Sequence, residues 1–312
     1  MTLRAIAAAA RVLAVCIFLS PGSRAETGAE ATAGAVKVAA YNLENYLPVD
    51  RWVDGRLVPG AMKPESEIVA AVRIVAACAP DILLLVEMGD REKLADFQAR
   101  LRGAGLAYPH AVWVAGADPH RHLAALSKFP VVADQSENEI PFELDGRPQM
   151  VSRGLLDATF EPWPGHRLRL LGAHLKSRRE VPDFDQVQFR AREALLVRER
   201  VNRIFADDPG ALLVLAGDLN DTKNEFPVRE LIGTPGSPAH MADVWLKDSR
   251  GERWTHYWKT ADIYSRIDFI LVSPRLLRMV DRDKSGIADP PDWNSASDHR
   301  LIFATFEPPM DR

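Results

Sequence analysis

The segment "ALLVLAGDLND" (211–221) joins an apolar run to two polar residues, Asp218 and Asn220, which stand two positions apart. On an extended backbone, residues two apart point to the same side. A buried carboxylate without a partner is costly, or shifts its pKa until it is neutral. A core strand that directs a carboxylate and an amide to one place therefore indicates that these two side chains have a catalytic or binding role.

The same pattern, an apolar strand next to a polar group, occurs in five other segments. These are "VKVAAYNLEN" with Asn42 and Glu44, "DILLLVEM" with Glu87, "LRLLGAHLKS" with His174 and Lys176, "SRIDFILVS" with Asp268, and "SASDHRLIFATF" with Asp298 and His299. Taken alone, each group has an ordinary explanation as a turn former, a helix cap, a solvated strand exit or a core histidine. Taken together, they favour one shared site at a common edge of the sheets.

These residue types suit the hydrolysis of a phosphate ester. Asn42 and Glu87, with Glu44 or Asp298 nearby, offer the oxygen ligands that Mg²⁺ prefers and leave room for a phosphate oxygen. The sequence contains neither a cysteine pair nor an HExxH motif, which disfavours a dedicated zinc site.

The remaining polar groups can supply the nucleophile. Asp268 close to His299 would orient the imidazole and raise its basicity, so that it could take a proton from water. Asp218 and Asn220 would position that water, and His174 would donate to the phosphoryl oxygens as negative charge accumulates. This combination predicts a metal-assisted phosphoester hydrolase.

The elements that must position these groups alternate between strands and helices. We predict helices over "ESEIVAAVRIVAAC", "REKLADFQARL" and roughly 186–205. We predict strands near 36–41, 82–86, 111–114, 122–127, 153–160, 167–173, 211–216, 267–272 and 300–306. This order predicts one α/β domain with two substantial sheets. Segments 44–66 and 219–262 show few regular patterns, and we expect them to be loops that shape a cleft.

The first 25 residues differ from the rest of the chain. "MTLRAIAAAARVLAVCIFLSPGSRA" has Arg4 and Arg11, a short apolar stretch and a small-residue pattern before Glu26. These features are typical of a secretory signal peptide, because the apolar run is too short to cross a bilayer. A misassigned start or an Arg-rich transit peptide are the alternatives. We therefore expect a secreted or periplasmic protein, with a short N-terminal segment at 26–34 and a single domain at 35–312.

Composition and charge restrict how such a protein could bind phosphate. The chain has 312 residues, 47% of them hydrophobic, and a formal net charge of −4. Without residues 1–25, 36 basic and 43 acidic residues remain, a net charge of −7. Since the whole molecule does not attract polyanions, a phosphate substrate must be held by local groups and a metal cation. Of the two cysteines only Cys78 would remain, which excludes a disulfide framework.

The ordered set of motifs, "YNLEN", "DILLLVEM", "LAALSKFPV", "GAHLKS", "GDLND", "SRIDFILVS" and "SDH", resembles the endonuclease/exonuclease/phosphatase superfamily. This superfamily includes DNase I, apurinic endonucleases, neutral sphingomyelinases and inositol polyphosphate 5-phosphatases. The resemblance covers roughly residues 35–307. It implies a DNase I-like four-layer sandwich, in which two packed mixed β-sheets are flanked by helices, and a Mg²⁺-dependent phosphoesterase, with Mn²⁺ as the alternative ion.

The resemblance also implies roles for single residues. Asn42 and Glu87 would surround the metal with Asp298 nearby, and His299 with Asp268 would be the base. Asp218 and Asn220 would orient the nucleophile, and His174 would stabilise the transition state. Arg153 in "VSRGLL" would contact phosphate or be an exposed strand arginine, and His256 in "WTHYW" would line the substrate side. Glu44 stands where some relatives carry a metal-proximal Asp, so its role stays open.

Superfamily resemblance fixes the reaction better than the substrate. Lys176, with the arginines at 178, 179, 190 and 192, would form a local track for a phosphate backbone, or else a solvated helix face. Trp245, Trp254, Tyr257 and Trp258 would stack bases or fill the core. No long apolar hairpin is recognisable, which disfavours a lipid substrate.

We therefore expect a monomeric nuclease acting on DNA or RNA, without stable membrane insertion. The alternative is a phosphatase or phosphodiesterase of the inositol phosphate or sphingomyelinase type. An inactive binding module is the remote alternative, because every expected catalytic position carries a chemically competent residue.

Overall fold

Alternating side chains of the first strand face two different apolar layers. In β1 (Val36–Tyr46), Val38 and Ala40 contribute to one buried core, whereas Ala39 and Tyr41 contribute to another. This period of two is the pattern of a strand that is covered on both faces. The sequence of β1 therefore requires a layer on each side of its sheet.

The structure is a computed structural model that describes residues 34–53, 55–180 and 182–309. These residues all belong to one compact unit, Ala33–Arg312. The predicted signal peptide at 1–25 and nearly all of the segment 26–34 lie outside the described residues. Among the described residues, no helix is both long and apolar enough to span a membrane.

Eighteen strands are found in this part of the chain. The first nine are β1, β2 (Val49–Val53), β3 (Arg56–Ala61), β4 (Ile82–Met88), β5 (His110–Val114), β6 (His122–Ser127), β7 (Val131–Asp134), β8 (Pro141–Leu144) and β9 (Arg147–Met150). The others are β10 (Leu156–Trp163), β11 (His166–His174), β12 (Leu212–Asp218), β13 (Ala242–Asp243), β14 (His256–Trp258), β15 (Ile263–Ser265), β16 (Asp268–Val272), β17 (Val280–Ile287) and β18 (Ile302–Phe306). All nine predicted strands are confirmed.

The helices of the described residues are α1 (Glu65–Cys78), α2 (Arg91–Gly103), α3 (Gln186–Asp207), α4 (Phe226–Ile232) and α5 (Pro274–Leu277), together with a 3-10 turn at Trp293–Ser295. The three predicted helices are confirmed as α1, α2 and α3. Asp90 and Asp185 begin α2 and α3 by accepting hydrogen bonds from backbone N–H groups of the first turn.

Two six-stranded mixed sheets pack face to face. The first has the order β17–β18–β1–β4–β6–β5, and the second has the order β13–β16–β12–β11–β10–β7. Their inner faces share one apolar core, α1 and α2 cover the outer face of the first sheet, and α3 covers that of the second. The predicted four-layer sandwich is therefore confirmed.

The register of the second sheet places three predicted site residues in one row. His174 at the end of β11 pairs with Asp218 of the parallel strand β12, and Asp218 pairs with Asp268 of the antiparallel strand β16. Earlier even-numbered residues of β12, such as Val214 and Ala216, face the core between the sheets. Since side chains alternate along a strand, Asp218 continues that inner row where the sandwich opens.

Gly217 allows β11 and β12 to approach closely just before the site. Its φ is +132°, and a Cβ atom at this position would lie 2.0 Å from the carbonyl oxygen of Ala173. No side chain fits there without moving the backbone that carries His174 and Asp218. Glycine at this position is therefore a requirement of the site geometry.

The prediction that 44–66 and 219–262 are loops was wrong in part. The first segment contains the hairpin of β2 and β3, and the second contains α4, β13 and β14. The hairpin exposes apolar side chains, and Trp52 is 75% exposed. Alternation failed to reveal the hairpin because neither of its faces is covered by a layer.

Candidate active site

Asp218 lies at the centre of the predicted site. Its Oδ2 atom lies 3.1 Å from Nδ2 of Asn42, 3.7 Å from Nε2 of His174 and 3.8 Å from Nε2 of His299. Its Oδ1 atom accepts a hydrogen bond of 2.8 Å from the backbone N–H of Asn220. Four segments that are far apart in the sequence therefore meet at one buried carboxylate.

His299 is oriented by a second carboxylate. Its Nδ1 atom lies 2.8 Å from Oδ2 of Asp268, so that Nε2 faces Asp218 and the amide of Asn42. Asp268 is itself positioned by its place in β16 and by its backbone N–H, which donates to Oγ1 of Thr255. This is the predicted His–Asp pair, with the free ring nitrogen directed into the site.

The pair of His299 and Asp218 is suited to exchanging a proton. Burial lowers the pKa of His299, but the carboxylates of Asp268 and Asp218 outweigh it and raise this pKa well above its ordinary value. Burial, with the charge of Asp268, raises the pKa of Asp218 to about 7, although His299 opposes this shift. The two groups therefore form one coupled, buried acid–base pair, between which a proton can pass.

His174 has the opposite electrostatic character. Burial and the positive charges of Arg153 and His299 hold the pKa of His174 well below its usual value. The ring is therefore neutral and carries one N–H donor. Its Nε2 atom faces Asp218 and Glu87, and its Nδ1 atom hydrogen-bonds to no other group among the described residues. A neutral imidazole with a proton on Nε2 can donate to an oxygen in the space between these carboxylates.

Glu87 reaches the site through an unusual backbone conformation. Val86 faces the core between the sheets, so strict alternation would direct Glu87 to the other side. The φ of Glu87 is +59°, which breaks the alternation. Its Oε1 atom lies 4.0 Å from Nε2 of His174, and its Oε2 atom accepts a 2.9 Å hydrogen bond from the backbone N–H of Asn45.

Left-handed backbone conformations are concentrated at this edge of the sandwich. Glu44, Asn45 and Asn220 also have positive φ values, between 48° and 61°. Each such residue costs about 1–3 kcal/mol and persists only where its surroundings enforce it. This conformation brings the amides and acids at the ends of β1 and β4 and just after β12 to one opening.

Asp298 connects the turn after β1 to two histidines. Its backbone N–H donates to Oε2 of Glu44 at 3.0 Å. Its carboxylate lies 3.8 Å from Nε2 of His299 and 3.6 Å from Nε2 of His256. Burial and the charge of Asp298 raise the pKa of Glu44 to about 7, and Lys63 opposes this shift. One role of Glu44, which the sequence left open, is therefore to position Asp298 by accepting this hydrogen bond.

The chemistry of the donor groups fits a hard divalent cation. Glu87 and Asp298 contribute carboxylates, and Asn42 contributes an amide oxygen that already accepts one hydrogen bond, from the N–H of Glu44. Two further groups could hold an ion, His256 with Asp298 and His299, and Asp218 with Asp268 and His299. The carboxylate of Asp298 therefore lies with His256 and His299, whereas the carboxylate of Glu87 lies beside His174. Which of these residues bind the metal ion stays a prediction.

The predicted substrate-binding residues lie at different distances from the centre. His256 joins the cluster, because its ring centroid lies 4.6 Å from that of His299. Arg153 is buried, and its Nε and Nη1 atoms hydrogen-bond to no other group among the described residues. The alternative of an exposed strand arginine was therefore wrong. The ammonium group of Lys176 lies over the rings of Phe184 and Phe189.

Two charged residues that support the site were missed or misread in the sequence. Arg121 lies 4.0 Å from Oε2 of Glu87, at a loop position without a local pattern. Glu193 belongs to the helix for which a solvated face was the alternative to a phosphate track, but it is buried and accepts hydrogen bonds from the backbone N–H groups of Ser152 and Lys176. Glu193 thereby ties the segment that carries Arg153 to the end of β11.

Arg190 does not belong to a surface track. It is buried, and its Nε atom donates to Asp221 at 2.9 Å. Arg178 is exposed and pairs with the same carboxylate. The predicted phosphate track is thus reduced, because Asp221 neutralises part of it.

Comparison with protein families matches residues 60–299 to the Endonuclease/Exonuclease/phosphatase family. The match covers most of the chain, and the chain belongs to this family. It is therefore a metal-dependent hydrolase of phosphoester bonds, as the motifs predicted. A search of curated proteins finds no match.

Solved structures share the fold. Truncated Caenorhabditis elegans TDP2 is 23% identical, with a TM-score of 0.58, and the match covers 88% of this chain and 98% of that one. The human Nocturnin catalytic domain with a bound sulfate anion is 17% identical, with a TM-score of 0.60 and coverages of 88% and 94%. A family protein from Leptotrichia buccalis is 15% identical, with a TM-score of 0.61 and coverages of 88% and 100%.

Proposed function

We propose that this chain is a secreted, Mg²⁺-dependent phosphodiesterase that cleaves nucleic acid. The observation that carries the proposal is the convergence of Asn42, His174 and His299 on the Asp218 carboxylate, with Glu87 beside His174. A water and a phosphate placed in this opening would meet proton acceptors and hydrogen-bond donors at once.

The residues of the site divide the reaction between them. Asp218, held by the backbone N–H of Asn220, would orient the attacking water, and the pair of His299 and Asp218 would receive its proton. Asp268 keeps the His299 ring aligned. The neutral His174 would donate to a phosphoryl oxygen as negative charge accumulates.

A divalent cation would be held by Glu87 and Asn42, with Asp298 near it. When bound, it would supply Lewis-acid polarisation of a phosphoryl oxygen. Mn²⁺ would serve as the alternative ion, because it accepts the same oxygen ligands.

Local positive charge supports a substrate that carries phosphate. Arg153 is buried, its Nε atom lies 3.6 Å from Oδ2 of Asp118, and its Nε and Nη1 atoms make no hydrogen bond among the described residues; Arg121 lies beside Glu87. A phosphate oxygen would satisfy these donors, since arginine matches the geometry of phosphate. The Nocturnin structure with a bound sulfate anion shows that a related fold accepts an anion of similar shape and charge.

A phospholipid head group is the second candidate. The β2–β3 hairpin follows the turn that carries Glu44 and Asn45, and it exposes Trp52 and Leu57. An exposed apolar hairpin beside the site would suit the surface of a membrane. We place this candidate second, because the groups that converge on Asp218 would bind the phosphate of either substrate and the exposed hairpin is the one feature that favours a lipid.

One assay decides between these substrates. Purified protein is offered plasmid DNA, single-stranded RNA, sphingomyelin vesicles and inositol phosphates with Mg²⁺, with Mn²⁺ and with excess EDTA. We expect nicking of the plasmid or cleavage of the RNA with either ion, and its loss in EDTA because the phosphoryl oxygen is then unpolarised. Cleavage that is unaffected by EDTA would contradict the metal assignment, and release of choline phosphate without cleavage of nucleic acid would favour the second candidate.

Export is proposed from residues 1–25 alone. If these residues are a signal peptide, N-terminal sequencing of the protein from the medium or periplasm should begin at Glu26. An intact Met1 in a protein retained in the cytoplasm would contradict export.

A further inference from the structure

A pocket of about 450 Å³ lies beside the catalytic cluster. Ser265 lines this pocket, and its Oγ atom lies 3.3 Å from Nδ1 of His256. The ring of His256 in turn contacts that of His299. Lys223, another lining residue, stands three positions after Asn220. Two side chains in contact, those of Ser265 and His256, therefore connect the pocket to His299.

Three cations surround one carboxylate at this pocket. Lys223 lies 3.1 Å from Oδ2 of Asp243, Arg266 binds both oxygens of Asp243, and Arg253 lies 3.9 Å from Oδ2. One negative charge thus faces three positive charges, in a chain whose net charge is −4. Partly buried charge of one sign is costly unless an anion joins it. The cluster therefore has the electrostatic character of an anion site.

An exposed tryptophan orients two of these cations. The guanidinium carbon of Arg253 lies 3.4 Å from the ring centroid of Trp245, and Nζ of Lys223 lies 4.5 Å from it. Trp245 is 56% exposed, so burial in the core does not explain its position. The aromatic face holds the cations at the pocket wall through cation–π attraction.

Arg253 carries a donor that the protein leaves unused. Its Nε atom donates to the carbonyl oxygen of Leu246, whereas its buried Nη2 atom lies 3.9 Å from Oδ2 of Asp243, too far for a hydrogen bond, and makes none within the described part of the chain. Buried polar atoms are nearly always satisfied, and an exception calls for a missing partner. An anionic ligand in the pocket would supply that partner.

We propose that this pocket binds a second phosphate group of the substrate, next along a nucleic-acid strand to the phosphate held at Asp218. The proposal rests on the proposed function and deepens it, because it selects polymeric substrates over esters with one phosphate. Arg253 and Lys223 contact the second phosphate, and Trp245 orients them. A larger pocket of about 780 Å³ lies along α3 and α4, and none of the predicted site residues lines it.

The test measures binding without catalysis. A fluorescently labelled single-stranded decanucleotide is titrated with protein in EDTA, and its anisotropy gives Kd at several salt concentrations. We expect Lys223→Ala and Arg253→Gln each to weaken binding fivefold or more. We also expect each to reduce the slope of log K against log salt by about one, the loss of one phosphate contact. Lys247→Ala, which removes an exposed lysine outside the pocket, is the matched control and should leave both quantities unchanged.

A second readout separates this proposal from the proposed function. Bis(4-nitrophenyl) phosphate contains one phosphodiester and no second phosphate. In Lys223→Ala, the ratio of kcat/KM for the oligonucleotide to kcat/KM for this ester should fall fivefold or more. Equal losses of kcat/KM on both substrates would overturn the proposal that this pocket binds a second phosphate. It would also be overturned if Lys223→Ala and Arg253→Gln bound the oligonucleotide as tightly as Lys247→Ala. If the wild-type protein hydrolyses neither substrate, the proposed function fails. The binding measurements in EDTA then still show whether the pocket contacts a phosphate.

Discussion

Replacing His299 by alanine should lower kcat/KM for phosphodiester hydrolysis by about 10³-fold or more, because a positioned acid–base group contributes about 10²–10⁴-fold. The imidazole is bound to Asp268 at 2.8 Å and faces Asp218, so its removal takes away the proton acceptor of the His–Asp pair. Initial rates on bis(4-nitrophenyl) phosphate with Mg²⁺ measure the effect.

Two companion variants make this result interpretable. His299→Ala leaves Asp268 buried without its partner, whereas His299→Gln keeps an amide donor for Asp268 and cannot take up a proton. Both variants should lose activity, and His299→Gln should retain the melting temperature of wild type within a few degrees. His110→Ala, at a half-buried position on β5, is the control and should remain active. Wild-type rates in either His299 variant would refute the assigned role.

Replacing Asp248 by alanine should lower the free energy of unfolding by about 3–5 kcal/mol, because it leaves a buried arginine without its counterion. Both side chains are fully buried, and Nη2 of Arg300 donates to Oδ2 of Asp248 at 2.8 Å. Arg300 and the backbone N–H groups of Glu252 and Arg250 hold the pKa of Asp248 below its usual range, in spite of burial. Urea denaturation followed by circular dichroism measures the loss.

The structure supplies two controls for this measurement. Lys284→Ala removes an exposed ion pair with Glu307 and should cost much less than Asp248→Ala, because solvent screens such a pair. Asp248→Ala combined with Arg300→Met removes both charges and should recover part of the stability, since an apolar replacement leaves no unpaired ion. Equal destabilisation by Asp248→Ala and Lys284→Ala would contradict the importance of the buried pair.

Arg300 also connects the buried ion pair with Asp248 to the His–Asp pair of the candidate active site. It directly follows His299, and its backbone N–H donates to the carbonyl oxygen of Thr255 at 2.7 Å. The hydroxyl of Thr255 accepts from the backbone N–H of Asp268. A shift of Arg300 would therefore displace both members of the His–Asp pair.

The parts of the site that strands alone position could be predicted from the sequence. His174, Asp218 and Asp268 each lie at the end of a run of apolar residues, and alternation places such residues on a definite face. Burial cost then requires that these groups meet. The structure shows them in one row across three neighbouring strands.

The parts that depend on turns and long-range contacts could not be predicted. Glu87 reaches the site only because its φ is positive, and no neighbouring glycine signals this conformation. Arg121 lies in a loop, so no hydrophobic periodicity predicts which way its side chain points. Glu193 stands four residues after Phe189 and four before Val197, on the buried face of α3, but its charge argues for solvent, and only the packing of α3 against residues 152–176 shows what it binds.

The central claim is that a divalent cation binds on the Glu87 side of an opening that also contains His299. Anomalous diffraction from a crystal soaked in Mn²⁺ tests it most directly, because the anomalous peak locates the ion without reference to activity. The predicted result is a peak within coordination distance of a Glu87 carboxylate oxygen, lost in Glu87→Gln. A peak confined to His256, Asp298 and His299, with the Glu87 carboxylate left uncoordinated, would contradict the account.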